Sequence, residues 1–192
     1  MGAILAGGRA LRFGGRAKGL EMVGGLRIID RVASALREVA GGVLLVGAPP
    51  AVAATLPGCQ AVSDESPGNG PLGAIVTALR AAGGDTLVVA WDMPFVTAEI
   101  LRPLLAAPAG AEAVLWENDG FVEPLCALYR FAALEPLATA FTEGERSPRA
   151  ALDMLRVHVL TRVASDETSP FTSVNTAEQL DAARRAESAA AR

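Results

Sequence analysis

Two cysteines, Cys59 and Cys126, and one histidine, His158, are all the thiol and imidazole chemistry this 192-residue chain carries. The cysteines stand far apart and form no C-x-x-C pair, so neither a disulfide framework nor a zinc site is expected, and both read as buried thiols. His158 is flanked by Val157 and Val159, a structural position that leaves a His-based catalytic triad without support. No apolar run reaches the roughly 18 residues that a bilayer span needs. The N-terminus lacks a basic segment followed by a hydrophobic core and a cleavage site, so a cytoplasmic location is the expectation. Basic excess is missing too: 17 Lys and Arg against 21 Asp and Glu give a net charge of -4, with no basic stripe. That excludes polymeric nucleic acid as the ligand and leaves a small phosphorylated molecule open. No composition break or internal repeat divides the chain, and 51% hydrophobic with 20% charged residues excludes disorder, so a single domain over 1–192 is expected.

What the chain does have is glycine and cations packed into one stretch, ILAGGRALRFGGRAKGL, from Ile4 to Leu20. The apolar run Ala3-Ile4-Leu5-Ala6 enters a loop holding Gly7, Gly8, Gly14 and Gly15, with Arg9, Arg12, Arg16 and Lys18 spread through it. A strand feeding such a loop is an anion cradle: glycines let the backbone approach a ligand and aim successive N–H groups at one spot, and the cations neutralise its charge. A polyphosphate is the natural guest; a glycine-rich surface turn with solvated arginines is the alternative. The spacing is neither that of a P-loop, which ends in Gly-Lys-Ser/Thr, nor G-x-G-x-x-G.

The periodicity predicts a helix over 28–39, closed by Gly41-Gly42, then strands over 43–46 and 59–62 with a short helical piece at 52–56 between them. A helix over 72–82 precedes 86–90, the most β-prone run in the sequence. Alternating strand and helix implies a parallel sheet covered on both faces, with ligands at the C-terminal ends of its strands. The second half changes character. Two extended segments, 113–116 and 121–129, flank Asp119-Gly120 and predict an antiparallel addition, although Pro124 limits where the second can pair. Helices are expected over 131–141 and 148–155, a strand over 157–163, and a last helix from about Ala177 capped by Thr176, with the tail from Ala186 frayed.

Two further stretches suit a phosphate ligand. In Ala90-Trp91-Asp92-Met93-Pro94-Phe95 a buried strand runs directly into a carboxylate. Asp92 either caps the following helix, for which Thr97 is better placed, or binds Mg²⁺, an ion that favours one or two carboxylates plus phosphate oxygens. In the segment from Asp64 to Gly73, DESPGNGPLG, a Gly and Pro loop opens a helix and Asp64 supplies an acceptor for hydroxyl or amino groups. Taken alone this is an ordinary turn.

Together LAGG-x-x-x-R-x-G-x-x-x-K, the D-x-P segment at Asp92 and the G-P-L turn at Gly70 resemble the signature of nucleotidyltransferases that join a phosphate to a nucleotide. GGRAKGL is most similar to the molybdenum cofactor guanylyltransferases, the MobA-like family, and the resemblance extends from Ile4 to Leu180. It implies an α/β fold, a Rossmann-like three-layer α/β/α arrangement whose mostly parallel twisted sheet carries an antiparallel addition in the C-terminal half. Residues 1–110 would form the nucleotide-binding half and 111–185 the acceptor side. By the same resemblance Leu5, Ala6, Gly7, Gly8, Lys18, Asp64, Gly70 and Asp92 bind the nucleotide; Arg12, Lys18 and Asp92 carry the catalysis; and Asp92 holds Mg²⁺. Asn175, in Asn175-Thr176-Ala177-Glu178-Gln179-Leu180, and Arg146, with Arg149 near it, would face the acceptor, although an asparagine there is equally a structural residue and both arginines read as solvated surface cations. Glu123-Pro124-Leu125 matches a substrate-proximal loop and receives no role.

The implied reaction transfers GMP from GTP to the terminal phosphate of molybdopterin or its molybdenum-bearing form. Partners would be those two substrates, with other cofactor-biosynthesis proteins or apo-enzymes beyond them, and neither nucleic acid nor membrane. The chain departs from the family at Ala17, where an Asp is usual, at Gly25-Leu26-Arg27-Ile28 in place of Gly-Lys-Pro-Leu, and at Val46-Gly47, where a polar residue, often Asn, follows the second strand. Two alternatives stay open: a cytidylyl- or other nucleotidyltransferase on a related acceptor, and a nucleotide-binding protein without turnover. A dinucleotide-dependent oxidoreductase fits less well, since the glycine spacing differs and no acidic residue ends the second strand.

Overall fold

In the computed structural model, which describes residues 1–7, 17–162 and 168–190, the apolar runs become strands of one sheet. Strand β1 (Gly2–Leu5) is joined through a small hairpin, β2 (Met22–Val23) and β3 (Leu26–Arg27), to helix α1 (Ile28–Arg37). Then come β4 (Val43–Val46), α2 (Pro50–Ala53), β5 (Cys59–Val62), α3 (Pro71–Ala82), β6 (Thr86–Ala90) and α4 (Ala98–Leu105). The second half supplies β7 (Ala113–Asn118), β8 (Phe121–Tyr129), α5 (Leu134–Thr142), α6 (Pro148–Ala151), β9 (Val157–Thr161) and α7 (Ala177–Ala190).

Strand order in the seven-stranded sheet is β5-β4-β1-β6-β8-β7-β9. All neighbours are parallel except those made by β8, which runs against both β6 and β7. The mostly parallel sheet with an antiparallel addition is therefore what the chain forms. Strands β1, β4 and β6 are buried along their whole length, because helices cover both faces; that is why they read as continuous apolar runs instead of alternating ones. On one face Ile4, Leu45 and Val89 meet Ile29, Val32 and Leu36 of α1 and Leu101 and Leu104 of α4. On the other, Ala3, Leu5, Leu44 and Val88 meet Leu72, Ile75 and Leu79 of α3 and Leu137 of α5. The chain leaves β1 toward β4 and β5 on one side and returns to β6 on the other. The topology thus switches between β1 and β6, and a crevice opens at their C-terminal ends.

The β7–β8 turn is the Asp-Gly turn expected, with positive φ at both Asp119 (52°) and Gly120 (79°) and with Asn118 opposite Phe121, the arrangement that suits the twist of a two-residue hairpin. The constraint set by Pro124 is met by an irregularity: pairing jumps from Leu115–Ala127 to Glu117–Val122, so the proline sits where the ladder is open. The buried Tyr129 hydroxyl donates to the Pro124 carbonyl there (3.0 Å).

Several boundaries differ from expectation. Helix α1 stops at Arg37, α2 is a single turn, and the helix expected over 148–155 is α6 followed by a 3₁₀ turn, Leu152–Met154. Thr97 occupies the N-cap position of α4 but makes no side-chain cap bond. The tail does not fray at Ala186: α7 continues to Ala190, and Glu187 accepts from Arg31 across the gap to α1. Cys126 is buried as expected. Cys59 is only partly so, and an Arg37 N–H donates to its sulfur at 3.3 Å. Among the described residues no helix is long and apolar enough to cross a membrane.

Candidate active site

The strand ends stay joined just past the sheet. Ala6 N–H donates to the Val46 carbonyl (2.9 Å), Gly47 N–H to Val62 (2.9 Å) and Trp91 N–H to Leu5 (3.2 Å). This brings Gly7, Gly47 and Asp64 together. A Cβ on Gly7 would lie 3.6 Å from Asp64 Oδ2, and one on Gly47 only 3.2 Å from Gly7 Cα and 3.3 Å from Asp64 Cβ. Gly47 also has φ of 72°, which an L side chain tolerates poorly. Asp64 Oδ1 accepts from Ser66 N–H at 3.0 Å and lies 3.4 Å from the Thr77 hydroxyl, which donates to the Gly73 carbonyl at 2.9 Å. The carboxylate is fixed by its own loop, with Oδ2 turned toward Gly7. At the start of α3, Gly70 (φ 86°) lets the Arg146 backbone dock: a Cβ there would come 3.0 Å from the Arg146 carbonyl.

The second cluster joins three distant parts of the chain. Lys18 opens a 3₁₀ turn, Lys18–Leu20, whose Leu20 and Glu21 N–H groups donate to Ala17 and Lys18 carbonyls. Its ammonium donates to Asp92 Oδ2 and, at 2.7 Å, to Asn175 Oδ1. Asp92 is 6% exposed, and its backbone carbonyl accepts from Val174 N–H at 2.9 Å. Asn175 is held by the start of α7. Thr176 Oγ1 accepts from Gln179 N–H (3.2 Å), and Gln179 Oε1 accepts from the N–H groups of Thr176 (3.0 Å) and Asn175 (2.7 Å). That reciprocal capping box anchors the asparagine backbone, so its amide oxygen reaches Lys18. A carboxylate buried this deeply needs the cation beside it.

These groups share one cleft of about 480 Å³, with Leu5, Gly7, Lys18, Asp64, Gly70, Asp92 and Asn175 in its wall, a volume in the range of small-molecule sites. Ala6 lies behind the wall with its N–H committed to β4. Gly8 and Arg12 lie outside the described residues. Arg146 stands apart from the cleft lining: its guanidinium sits 4.3 Å above the Phe141 ring and donates to the Phe141 and Glu145 carbonyls, both at 2.7 Å. Arg149 likewise donates to the Val122 carbonyl (3.0 Å) and lies 5.3 Å from the Phe121 ring centre. Sequence reasoning missed Trp91 and Leu125 in the wall. Trp91 stands next to Asp92 in the sequence, yet an apolar ring carries no chemical signal. Leu125 belonged to the stretch that received no role. Burial pushes the neighbouring Glu123 carboxyl above its ordinary value, with Arg149 opposing the rise.

Residues 2–160 match the family model described as the MobA-like NTP transferase domain. The chain belongs to that family. It is a nucleotidyltransferase. Over 160 residues it is 35% identical to the "Probable molybdenum cofactor guanylyltransferase" of Chloroflexus aggregans, covering 80% of this chain and 76% of that one. The crystal structure of molybdopterin-guanine dinucleotide biosynthesis protein A from Archaeoglobus fulgidus superposes with a TM-score of 0.77 at 29% identity, covering 96% of both chains. The 2-C-methyl-D-erythritol 4-phosphate cytidylyltransferase of Thermus thermophilus shares the fold, with a TM-score of 0.70 at 19% identity over 97% of this chain and 98% of its own.

Nucleotidyltransferases of the MobA-like kind generally use a divalent metal. Among the described residues no three His, Cys, Asp or Glu side chains cluster as a cage; the cleft wall offers one buried carboxylate, that of Asp92. That donor set fits a hard cation held by one carboxylate and the oxygens of a phosphate chain, which keeps its remaining positions for water.

Proposed function

We propose that this protein transfers GMP from GTP to the terminal phosphate of molybdopterin, or of its molybdenum-bearing form, in the cytoplasm. An acceptor phosphate oxygen forms a bond to the α-phosphorus of GTP, the bond from that phosphorus to the α–β bridging oxygen breaks, and pyrophosphate leaves with the electron pair. The nucleotide occupies the half built from residues 1–110, against Leu5, Ala6, Gly7, Gly8, Asp64 and Gly70. The acceptor approaches from residues 111–185, past Asn175 and Arg146. The single observation that carries this reading is the meeting of Lys18, Asp92 and Asn175 at the switch point between β1 and β6, where one cation touches a group from each half.

Two anions must be brought together while a third departs, so catalysis rests on alignment and charge neutralisation, not on a protein nucleophile. Lys18 and Arg12 spread over the phosphates, and Asn175 orients the Lys18 ammonium. Mg²⁺ held by Asp92 would supply positive charge at the phosphate oxygens. The acceptor's phosphate is already ionised at neutral pH, with a second pKa near 6, so no general base is required.

The test is incubation with Mg²⁺, molybdopterin and each of the four nucleoside triphosphates, reading pyrophosphate. GTP consumption is expected. Consumption of CTP instead would move the assignment to a cytidylyltransferase, and no pyrophosphate with any of them would leave a binding protein. Asp92→Ala is expected to lower turnover by about 1,000-fold or more while the remaining contacts of the nucleotide half keep GTP binding within about tenfold. Full activity in that variant would refute the metal assignment.

A further inference from the structure

The side chains of Lys18 and Asp92 meet, and so do the residues that follow and precede them. Gly19 lies flat on the indole of Trp91: a Cβ at Gly19 would fall 2.6 Å from Cε3, 2.9 Å from Cδ2 and 3.3 Å from Cζ3 of that ring. Carbon atoms rest about 3.5–4.0 Å apart, so the closest approach leaves no room for a methyl group by roughly an ångström. The ring has nowhere to retreat. Trp91 is 2% exposed and packed into the core beneath α1 and α4. Its indole N–H is the buried side-chain polar atom without a hydrogen-bond partner among the described residues, an arrangement that costs stability and means packing alone sets the ring's position.

We propose that Trp91 and Gly19 form the seat of the Lys18 turn, making Trp91 a positioning residue that sets where the Lys18 ammonium stands over the reacting phosphates. This inference rests on the nucleotidyl-transfer reading above and adds to it. The turn is short, closed by two backbone bonds, Leu20 to Ala17 (2.9 Å) and Glu21 to Lys18 (3.1 Å). A displacement at Gly19 is therefore carried to Lys18 with little loss. In a reaction run by alignment, a misplacement of about 1 Å costs on the order of 100-fold.

Gly19→Ala, which must lift the turn off the ring, is expected to reduce the turnover number for pyrophosphate release about 100-fold. Trp91→Phe, which shortens the ring under the turn, is expected to cost several-fold. The double variant regains space for the methyl group and recovers about tenfold over Gly19→Ala. The deciding measurement separates positioning from general structure: in a Lys18→Ala background neither substitution lowers turnover further, because both act through the missing ammonium. The same cycle is read in the Kd for Mg²⁺ and GTP by calorimetry, which needs no turnover.

Wild-type turnover in Gly19→Ala, no recovery in the double variant, or independent losses in the Lys18→Ala background would each overturn the seat. If Gly19→Ala does not fold, Trp91→Phe with and without Lys18→Ala decides by the same criterion. A wild-type protein that releases no pyrophosphate from any triphosphate sinks the functional reading instead and leaves the binding cycle to judge the seat.

Discussion

Gly47→Ala puts the geometry of the nucleotide half to a quantitative test. Gly47 follows β4 with φ of 72°, and placing a Cβ on a left-handed residue costs about 1–2 kcal/mol. The new methyl would also stand 3.2 Å from Gly7 Cα and 3.3 Å from Asp64 Cβ, so a few tenths of an ångström must be yielded by neighbours that are themselves fixed. Gly7 is tied through Ala6 to β4, and Asp64 by Ser66. Together these put the loss near 2 kcal/mol; at about 2–4 °C per kcal/mol for a chain of this size, the melting temperature should drop by about 4–8 °C. The displaced atoms belong to the proposed nucleotide wall, so GTP affinity should fall about tenfold, or 1.4 kcal/mol. Gly47→Asn separates the two effects: asparagine tolerates the left-handed backbone better, so it should recover part of the melting temperature but none of the affinity. Thermal melts and calorimetric GTP titrations of both variants make the measurement. An alanine variant that melts low yet binds GTP like wild type refutes the placement of the nucleotide against Gly7, and one unchanged in both refutes the close approach itself.

Gln179→Ala removes the reciprocal half of the cap on α7 and is expected to cost about 1 kcal/mol, seen as a melting shift of about 2–4 °C. It also frees the Asn175 backbone, so turnover should fall about tenfold; unchanged turnover would show that Asn175 orients Lys18 without the cap. Asp85 gives a pH prediction. Burial pushes its carboxyl up, but the Phe131 N–H (2.9 Å), the Arg130 guanidinium (2.8 Å) and the Met1 ammonium outweigh that and hold it below the ordinary value. Its contribution is thus present above the unfolded value of about 3.9 and lost as pH falls through the folded one. With Asp85 45% exposed, the effect stays under about 1 kcal/mol. Melting curves from pH 6 to 2 should decline less steeply for Asp85→Asn than for wild type, and parallel curves would remove Asp85 from the acid response.

How legible the sequence is depends on how local the signal is. The strands β4 and β6 and the helix α3 are readable because burial on both faces or a Gly-Pro start is written in adjacent residues. The Thr176 cap is readable for the same reason. The fray point is not: α7 is kept helical past Ala186 by Glu187 reaching Arg31, a contact between residues 156 apart in sequence. The site divides the same way. Lys18, Asp64, Gly70 and Asp92 lie in motifs whose residue types declare their chemistry, and the fold brings them to one cleft. Trp91, Leu125 and Gly47 act by shape, and shape is decided only when their neighbours arrive. Arg146 was legible as a cation, but not the aromatic ring and the two carbonyls that engage it.

The division between buried and exposed parts of the cleft also bears on what selects the substrate. Asp92, Trp91 and the ends of β1 and β6 are fixed in the core or joined by backbone hydrogen bonds, so they can vary little without disturbing the sheet. The 63–70 loop, with Glu65, Pro67, Gly68, Asn69 and Gly70 all exposed, hangs beyond the strand ends and can change without such a cost. A cytidylyltransferase shares the fold, which follows if the sheet supplies the place for a phosphate chain and the loops choose the base. Among the described residues, the proposed nucleotide half presents one oriented carboxylate beyond the strand ends, Asp64, facing Gly7 and Gly47. An acceptor-only group suits a base edge that presents N–H donors side by side, and guanine offers a ring N–H next to an amino group where cytosine offers an amino group next to a ring acceptor. On the proposed reading, with the base edge against Asp64, CTP would set an acceptor against an acceptor, a source of discrimination that asks for no side chain at Gly47.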